Sequence, residues 1–173
     1  TTITAGWAIN QYTITLVYDN GTANKEIKQD YGTAIGAQAD PTKTGYTFAG
    51  WNKEIPATMP AENLEITAQW NINQYSITIV YDNGTENLVI KKDYNAQITE
   101  TLPATLNKTG YTFAGWDKEM PATMPVDGLT ITAKWNINQY EMKFVLGNGE
   151  EDVVIKKDYN SAFTAPVPEK VGY

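Results

Sequence analysis

One sixteen-residue stretch occurs twice in this chain and limits the possible folds more than any other feature. The first copy runs from Gly45 to Pro60 and the second from Gly110 to Pro125, and only two positions differ between them. A third copy begins at Gly172-Tyr173. Close similarity at a fixed spacing is the signature of a repeat architecture, in which each unit is one small module. We therefore predict a tandem-repeat protein.

The tryptophans Trp7, Trp70 and Trp135 end equivalent segments, so they mark the period of the repeat. They are 63 and 65 positions apart. We expect the chain to be part of a longer array. The predicted parts are the last strand of a preceding repeat (1–7), repeat 1 (8–70), repeat 2 (71–135) and a truncated repeat 3 (136–173).

Each complete unit is predicted to contain four strands. In the first unit, apolar and polar residues alternate from Tyr12 to Tyr18, which is typical of a half-buried strand. Asn20-Gly21 then marks a turn, because this pair favours positive φ, and a second strand returns over Lys25 to Tyr31. The third strand is the Gly-Tyr-Thr-Phe-Ala-Gly-Trp stretch, and the fourth runs from Leu64 to Trp70.

A variable crossover joins the second and third strands. It spans 14 positions from Tyr31 to Gly45 and 16 in the second unit, so this segment tolerates insertion and is predicted to be a loop or a loosely packed connection. One or two helical turns are possible here, although Gly36 weakens a helix and Pro41 ends it. The expected fold class is therefore strand-dominated α+β.

Aromatic residues are plentiful, and most are expected inside, because a domain this small depends on every large apolar side chain. Trp51 and Trp116 are the candidate exceptions. In a regular strand Trp51 faces away from Phe48, so it could form a platform for a sugar or a protein, although Gly50 permits a bulge. The residues expected in the core are Ile14, Phe48, Ile66 and Trp70 in the first unit and Ile77, Phe113, Ile131 and Trp135 in the second.

Composition excludes several kinds of chemistry. The 173 residues carry a formal net charge of -7 and include no Cys, His or Arg. The chain therefore lacks a thiolate or imidazole for a transition metal or a nucleophile–base pair. The acidic balance and the absence of Arg disfavour nucleic acid, and no apolar run is long enough to insert into a membrane. We expect no enzyme activity, no metal and no cofactor. Active sites are usually single, whereas near-identical tandem repeats are typical of scaffolds and multivalent binding proteins.

The ordered motifs resemble the internalin B-repeat family, also called the Listeria–Bacteroides repeat. In the second unit they are Gln74-Tyr75, Asn83-Gly84, Lys108 to Trp116, Met124-Pro125 and Ile131 to Trp135. The resemblance covers nearly the whole chain. It implies tandem β-grasp (ubiquitin-like) units, whose first and last strands lie side by side and parallel. It also implies a place in secreted cell-surface or cell-wall proteins of Gram-positive bacteria, with the signal peptide and anchor outside this sequence.

Two functions are compatible with this resemblance. The first is a non-catalytic stalk, an elongated rod of roughly 35 Å per repeat in which neighbouring repeats are the partners. The alternative is a multivalent adhesin that binds a host glycan or protein through repeated exposed aromatics. A further expectation is head-to-tail self-association, in which the strand at 1–7 of one molecule docks on the truncated repeat of another.

Overall fold

The computed structural model describes residues 1–169, and strands are the regular elements found there. The third Gly-Tyr pair at 172–173, and with it the end of the predicted third repeat, lies outside the described residues. The strands are β1 (Gln11–Val17), β2 (Lys25–Asp30), β3 (Tyr46–Trp51), β4 (Leu64–Ile72), β5 (Gln74–Val80), β6 (Leu88–Asp93), β7 (Tyr111–Trp116), β8 (Leu129–Ile137), β9 (Gln139–Phe144) and β10 (Val153–Asp158).

The first four strands form one mixed sheet in the order β2-β1-β4-β3. β1 pairs antiparallel with β2, and β3 pairs antiparallel with β4. The central pair, β1 and β4, is parallel, with partners from Ile14↔Leu64 to Val17↔Thr67. This confirms the expectation of adjacent, parallel first and last strands. Since parallel strands cannot be joined by a tight turn, the intervening chain has to cross over the sheet.

The second repeat reproduces this sheet in the order β6-β5-β8-β7, with β5 and β8 parallel from Ile77↔Leu129 to Val80↔Thr132. The strands β9 and β10 form a separate antiparallel hairpin that begins with the pair Gln139↔Asp158. The same local sequence pattern therefore produces the same first hairpin three times.

The core lies on one face of each sheet. In the first repeat it is built from Ile14, Leu16, Met59 and Ile66, each at most 1% exposed, and Trp51 packs against this group. In the second repeat the equivalent residues Ile77, Ile79, Met124 and Ile131 are also buried. The remaining predicted core residues, Phe48, Trp70, Phe113 and Trp135, are half-buried.

The prediction of helical turns in the crossover is wrong, because residues 1–169 contain no helix. The α component of the predicted fold class is therefore absent from these residues. The reason is a competing set of partners for the backbone. The N–H groups of Gly32 and Ile35 donate to the carbonyls of Met59 and Ala57, and the Met59 N–H donates to Thr33. The crossover is thus held extended against the Met-Pro loop, which is the segment 52–63 between β3 and β4 and contains Met59-Pro60. The two loops together cover the apolar face of the sheet.

The Asn-Gly turn ties the first hairpin to the crossover. The Asn20 side-chain oxygen accepts hydrogen bonds from the N–H and hydroxyl of Thr22, at 3.0 and 2.7 Å, and its amide donates to the carbonyl of Thr42 at 2.9 Å. Gly21 has φ +86°, as the Asn-Gly pair predicts. Asn83 makes the equivalent contacts with Thr85 and Asn107.

Compactness divides the chain into two units that do not follow the repeat boundaries. The first unit contains Thr1–Tyr75, Lys92–Ala96 and Thr123–Val126, and the second contains the remaining described residues. Tyr94, which follows β6 of the second repeat, therefore belongs to the same compact unit as the whole first repeat.

No strand is assigned to residues 1–10, and Ile3 and Trp7 are more than 90% exposed. Their predicted role as the last strand of a preceding repeat requires partner strands from that repeat. This role, the repeat boundaries and the head-to-tail association stay predictions.

Candidate functional site

The first candidate site is an aromatic cluster, defined in repeat 1 as Tyr18, Phe48, Trp51 and Trp70. The ring centroids of Phe48 lie 5.4 Å from those of Trp51 and 5.6 Å from those of Trp70, and Trp51 lies 6.0 Å from Tyr18. The Trp70 indole N–H donates to the Tyr18 carbonyl at 3.0 Å. These separations are typical of aromatic pairs that stabilise each other.

Trp51 reaches this cluster through a β-bulge. Phe48 pairs with Trp70 in the ladder, but Gly50 already pairs with Gln69, so Ala49 is the extra residue. Gly50 has φ +107°, a conformation that residues with a side chain rarely adopt. The bulge turns Trp51 onto the same side as Phe48. The regular strand, in which the two rings would face opposite ways, is therefore not what forms; the bulge that Gly50 was expected to permit is present.

The second repeat has the same cluster with one addition. Phe113 lies 5.5 Å from both Trp116 and Trp135, and Trp116 lies 6.0 Å from Tyr81. Here the Trp116 indole N–H donates to the carbonyl of Pro103 at 3.1 Å. Pro103 belongs to the longer crossover, so this crossover supplies a partner for the indole.

A lysine lies over each cluster. The Lys43 ammonium is 4.7 Å from the Tyr46 ring centroid and 5.7 Å from that of Trp70, and it pairs with Asp19 at 3.4 Å. Lys108 repeats this arrangement over Tyr111 and Trp135 and pairs with Asp82. A cation over a ring contributes about 0.5–1 kcal/mol when exposed. Both lysines therefore have structural partners within their own repeat.

An open groove of about 720 Å³ lies beside the longer crossover of the second repeat. Its lining residues include Asn83, Lys108, Tyr111 and Phe113, together with crossover residues around Leu106. These groups could contact a polar ligand, although Asn83 and Lys108 already make contacts within the second unit. Trp116 is not among the residues that line this groove.

Trp51→Ala should lower the stability of repeat 1 by roughly 2–3 kcal/mol, because the indole packs on the buried core and on two neighbouring rings. Phe48→Ala should cost a similar amount. Repeat-resolved hydrogen exchange of β1 amides checks both variants. A Trp51→Ala variant as stable as the parent chain would contradict this prediction and would restore the view of Trp51 as a surface platform.

The second candidate site is the Tyr94 junction, defined as Gly45, Thr47, Asn73, Tyr75 and Tyr94. The Asn73 N–H donates to the Gly45 carbonyl at 2.9 Å, and the Tyr94 N–H donates to the Asn73 carbonyl at 2.7 Å. The Thr47 hydroxyl donates to the Asn73 side-chain oxygen at 2.6 Å. The junction therefore connects the end of the crossover, the linker and the turn after β6 within the first unit.

The Tyr94 ring covers Gly45 so closely that a Cβ at Gly45 would overlap it. The ring also lies edge-on to Tyr46 at 6.1 Å and to Tyr75 at 6.3 Å. Gly45 has φ +77°, so both its backbone and its surroundings require glycine.

The second unit contains the same arrangement, the Tyr159 junction. Asn138 donates to the Gly110 carbonyl at 2.9 Å, Tyr159 donates to the Asn138 carbonyl at 2.8 Å, and Thr112 donates to the Asn138 side chain at 2.6 Å. The Tyr159 ring covers Gly110 as Tyr94 covers Gly45. The contact therefore occurs twice, at equivalent positions of the repeat, and is a recurring feature of it.

The fourth strand was predicted to end at Trp70, which would leave Asn71 to Asn73 as a linker to the next repeat. The observed linker is shorter. β4 continues through Asn71 and Ile72, which pair with Thr47 and Tyr46 of β3, so Asn73 alone separates β4 from β5. Sequence reasoning also missed Met59 and Tyr94. Met59 recurs as Met124, and Tyr94 recurs as Tyr31 and Tyr159. This recurrence at equivalent positions was the available signal.

Among the described residues there is no helix long and apolar enough to cross a lipid bilayer. Within the same residues no three His, Cys, Asp or Glu side chains come together as a group that could hold a metal ion.

Two copies of one small mixed sheet, with a repeated tyrosine–glycine contact after each, define a tandem-repeat protein. The family model of the Listeria-Bacteroides repeat domain matches residues 12–73 and again residues 75–138. The matches take in more than two thirds of the 173 residues, and the chain belongs to this family. The resemblance drawn from the Gly-Tyr-Thr-Phe-Ala-Gly-Trp motif is confirmed.

Relatives of this chain are longer proteins. A protein of Evansella cellulosilytica, provisionally described as a membrane protein, is 30% identical over 99% of the chain. Internalin H of Listeria monocytogenes is 32% identical over 72% of the chain. The chain spans 28% of the first relative and 25% of the second.

Among solved structures, a match is found to domains 3-4 of a cell surface protein with Streptococcal High Identity Repeats in Tandem (SHIRT). It covers 74% of this chain and 98% of that chain, with 15% sequence identity and a TM-score of 0.24.

Proposed function

We propose that this chain is a non-catalytic, extracellular stalk or spacer segment of a bacterial cell-surface protein. The observation that carries the proposal is the parallel pairing of β1 with β4. The chain enters a repeat at the start of β1 and leaves it at the end of β4, at opposite ends of the parallel pair. Tension along the chain then shears the hydrogen bonds of this pair together instead of opening them one by one.

The two junctions support the same role. Each linker is a single asparagine whose backbone and side chain are hydrogen-bonded within the Tyr94 or Tyr159 junction. No Gly/Ser-rich or Pro-rich hinge occurs at these positions. Such short, bonded connections suit a spacer that holds its shape. The end-to-end rod stays a prediction that small-angle scattering of the chain can test.

The β-grasp assignment is part of this proposal. Its support is the four-stranded mixed sheet with the first and last strands adjacent and parallel. In this chain the crossover and the Met-Pro loop occupy the face that a helix would cover. The surface location is supported by the relationship to internalin H and to a protein provisionally described as a membrane protein.

The alternative is a multivalent adhesin that binds a host glycan or protein. Its support is the open groove of the second repeat, which is lined by polar residues such as Asn83 and Lys108 and by the aromatic residues Tyr111 and Phe113. Against it, Trp51 and Trp116 pack within aromatic clusters and do not stand free as platforms. A glycan and host-protein binding screen on the full chain distinguishes the adhesin from the stalk.

Single-molecule pulling tests the stalk proposal. Because the chain lacks cysteine, handles can be attached through Gln11→Cys and Ile72→Cys, the two ends of repeat 1. We expect one abrupt, high-force event that releases roughly 200 Å of chain. The matched control uses handles at Gln11→Cys and Asp30→Cys, which are paired at the open end of β1 and β2. That geometry unzips the hairpin and should yield at lower force. Equal forces in both geometries would contradict the proposal.

A further inference from the structure

The exposed tyrosine of the first repeat, Tyr31, occupies the position that Tyr94 and Tyr159 occupy in the next two hairpins. Each of the three follows the second strand of its hairpin. Each donates its N–H to the carbonyl of the asparagine that precedes the first strand, at 2.9 Å for Tyr31, 2.7 Å for Tyr94 and 2.8 Å for Tyr159. The Tyr31 side of a junction is therefore already assembled.

Tyr31 differs from the other two in what covers its ring. It is 55% exposed, and the neighbouring Asn10 and Ile9 are exposed as well. Tyr94 and Tyr159 instead lie over Gly45 and Gly110. The asparagines of those junctions also receive a hydroxyl hydrogen bond from a threonine two residues after the glycine.

We propose that Asn10 and Tyr31 form a docking surface for the Gly-Tyr-Thr turn of another repeat of this family, joined to this chain immediately before Gln11. The partner has to supply a glycine at positive φ beneath the Tyr31 ring, the carbonyl of that glycine for the asparagine N–H, and a threonine hydroxyl for the asparagine side chain. The chain shows this combination twice, with the same partners at each place.

The shape of the contact makes the surface selective. A residue with a Cβ in place of the glycine would overlap the tyrosine ring, as the geometry at Gly45 and Gly110 demonstrates. The glycine carbonyl and the threonine hydroxyl must also reach the backbone and the side chain of one asparagine. A repeat of this family meets these conditions with the glycine and the threonine of its Gly-Tyr-Thr sequence. The inference goes beyond the stalk role, since it holds whether or not the chain carries tension.

The test inserts a second copy of residues 11–73 between Asn10 and Gln11, so that an asparagine again precedes Gln11 and a new Gly45 can face Tyr31. In this extended chain we expect an upfield NMR shift of the new Gly45 Hα from the Tyr31 ring current, similar to the shift that Tyr94 imposes on the original Gly45. The shift should disappear when the original Tyr31, which follows the inserted copy, is changed by Tyr31→Ala. The original Gly45 signal, beneath Tyr94, reports in the same molecule that the fold is intact.

Stability provides an independent readout. In the unextended chain, Tyr31→Ala should leave the urea midpoint of repeat 1 unchanged. In the extended chain, Tyr31→Ala at the original Tyr31 should lower the urea midpoint of the original repeat 1 by as much as Tyr94→Ala does. A second extended chain, with a copy of residues 74–138 in place of 11–73, guards against misfolding of one insert. If Tyr31 stays exposed in both extended chains, or Tyr31→Ala has the same effect in all three, the surface serves another partner and the proposal is wrong.

Discussion

Met59→Ala should destabilise the first repeat more than any other single truncation in its loops. The side chain is 1% exposed and packs with Ile14, Leu16 and Ile66, so its removal leaves a cavity at the centre of the core. Such a change typically costs about 2–5 kcal/mol. A unit of some sixty residues has only roughly 3–9 kcal/mol in total. Repeat 1 should therefore become partly or wholly unfolded, and hydrogen exchange of β1 and β4 amides measures this loss.

The matched control for this prediction is Met120→Ala. Met120 is the same residue type in the equivalent loop of the second repeat, but it is only half-buried. Met120→Ala should lower the stability of the second repeat by about 1 kcal/mol, in line with positions outside a packed core. Met59→Leu conserves volume and should restore most of the stability. Equal losses for Met59→Ala and Met120→Ala would show that the Met-Pro loop does not close the core.

Gly45→Ala should have the second largest effect, about 3 kcal/mol or more, because two penalties combine. A residue with a side chain at φ +77° costs roughly 1–2 kcal/mol. The added methyl would also overlap the Tyr94 ring, so the ring has to leave its contacts with Tyr46 and Tyr75. Urea denaturation of the full chain, followed with hydrogen exchange of the Asn73 and Tyr94 amides, measures the effect.

Gly32→Ala separates the two penalties. Gly32 has φ +79°, nearly the same as Gly45, but open space surrounds the position of its Cβ. Gly32→Ala should therefore show the backbone strain alone. A double-mutant cycle completes the comparison: in a Tyr94→Ala background, Gly45→Ala should cost no more than Gly32→Ala. If Gly45→Ala and Gly32→Ala are equally costly in the parent chain, Tyr94 does not hold the junction together.

Much of the fold was predictable because its signals are local. Alternation of apolar and polar residues located β1 and β5, and the Asn-Gly pairs located the turns that follow them. The expectation that the first and last strands are parallel came from the family resemblance and required the crossover that the structure contains. The burial of Ile14 and Ile66 follows the same alternation.

The candidate site was harder to predict, since it depends on residues far apart in the chain. Trp51 appeared exposed because alternation assumes a regular strand, and one extra residue, Ala49, reversed its direction. The crossover appeared capable of a helical turn because local propensity does not include the carbonyls of Ala57 and Met59, more than twenty residues away. Tyr94 appeared to be only the end of a strand, because its glycine partner lies in the preceding repeat.

By itself, the sequence determined that this is a tandem-repeat chain of the Listeria-Bacteroides family and where most of its strands and turns lie, because periodicity, turn residues and repetition act over a few neighbouring residues. Only the tertiary structure decided what covers each sheet, which way Trp51 points and how Tyr94 meets Gly45. Those outcomes depend on which distant donor, acceptor or ring satisfies each group. Backbone N–H groups that donate to the distant carbonyls of Met59 or Asn73 are already satisfied, so they do not need the hydrogen bonds of a local helix.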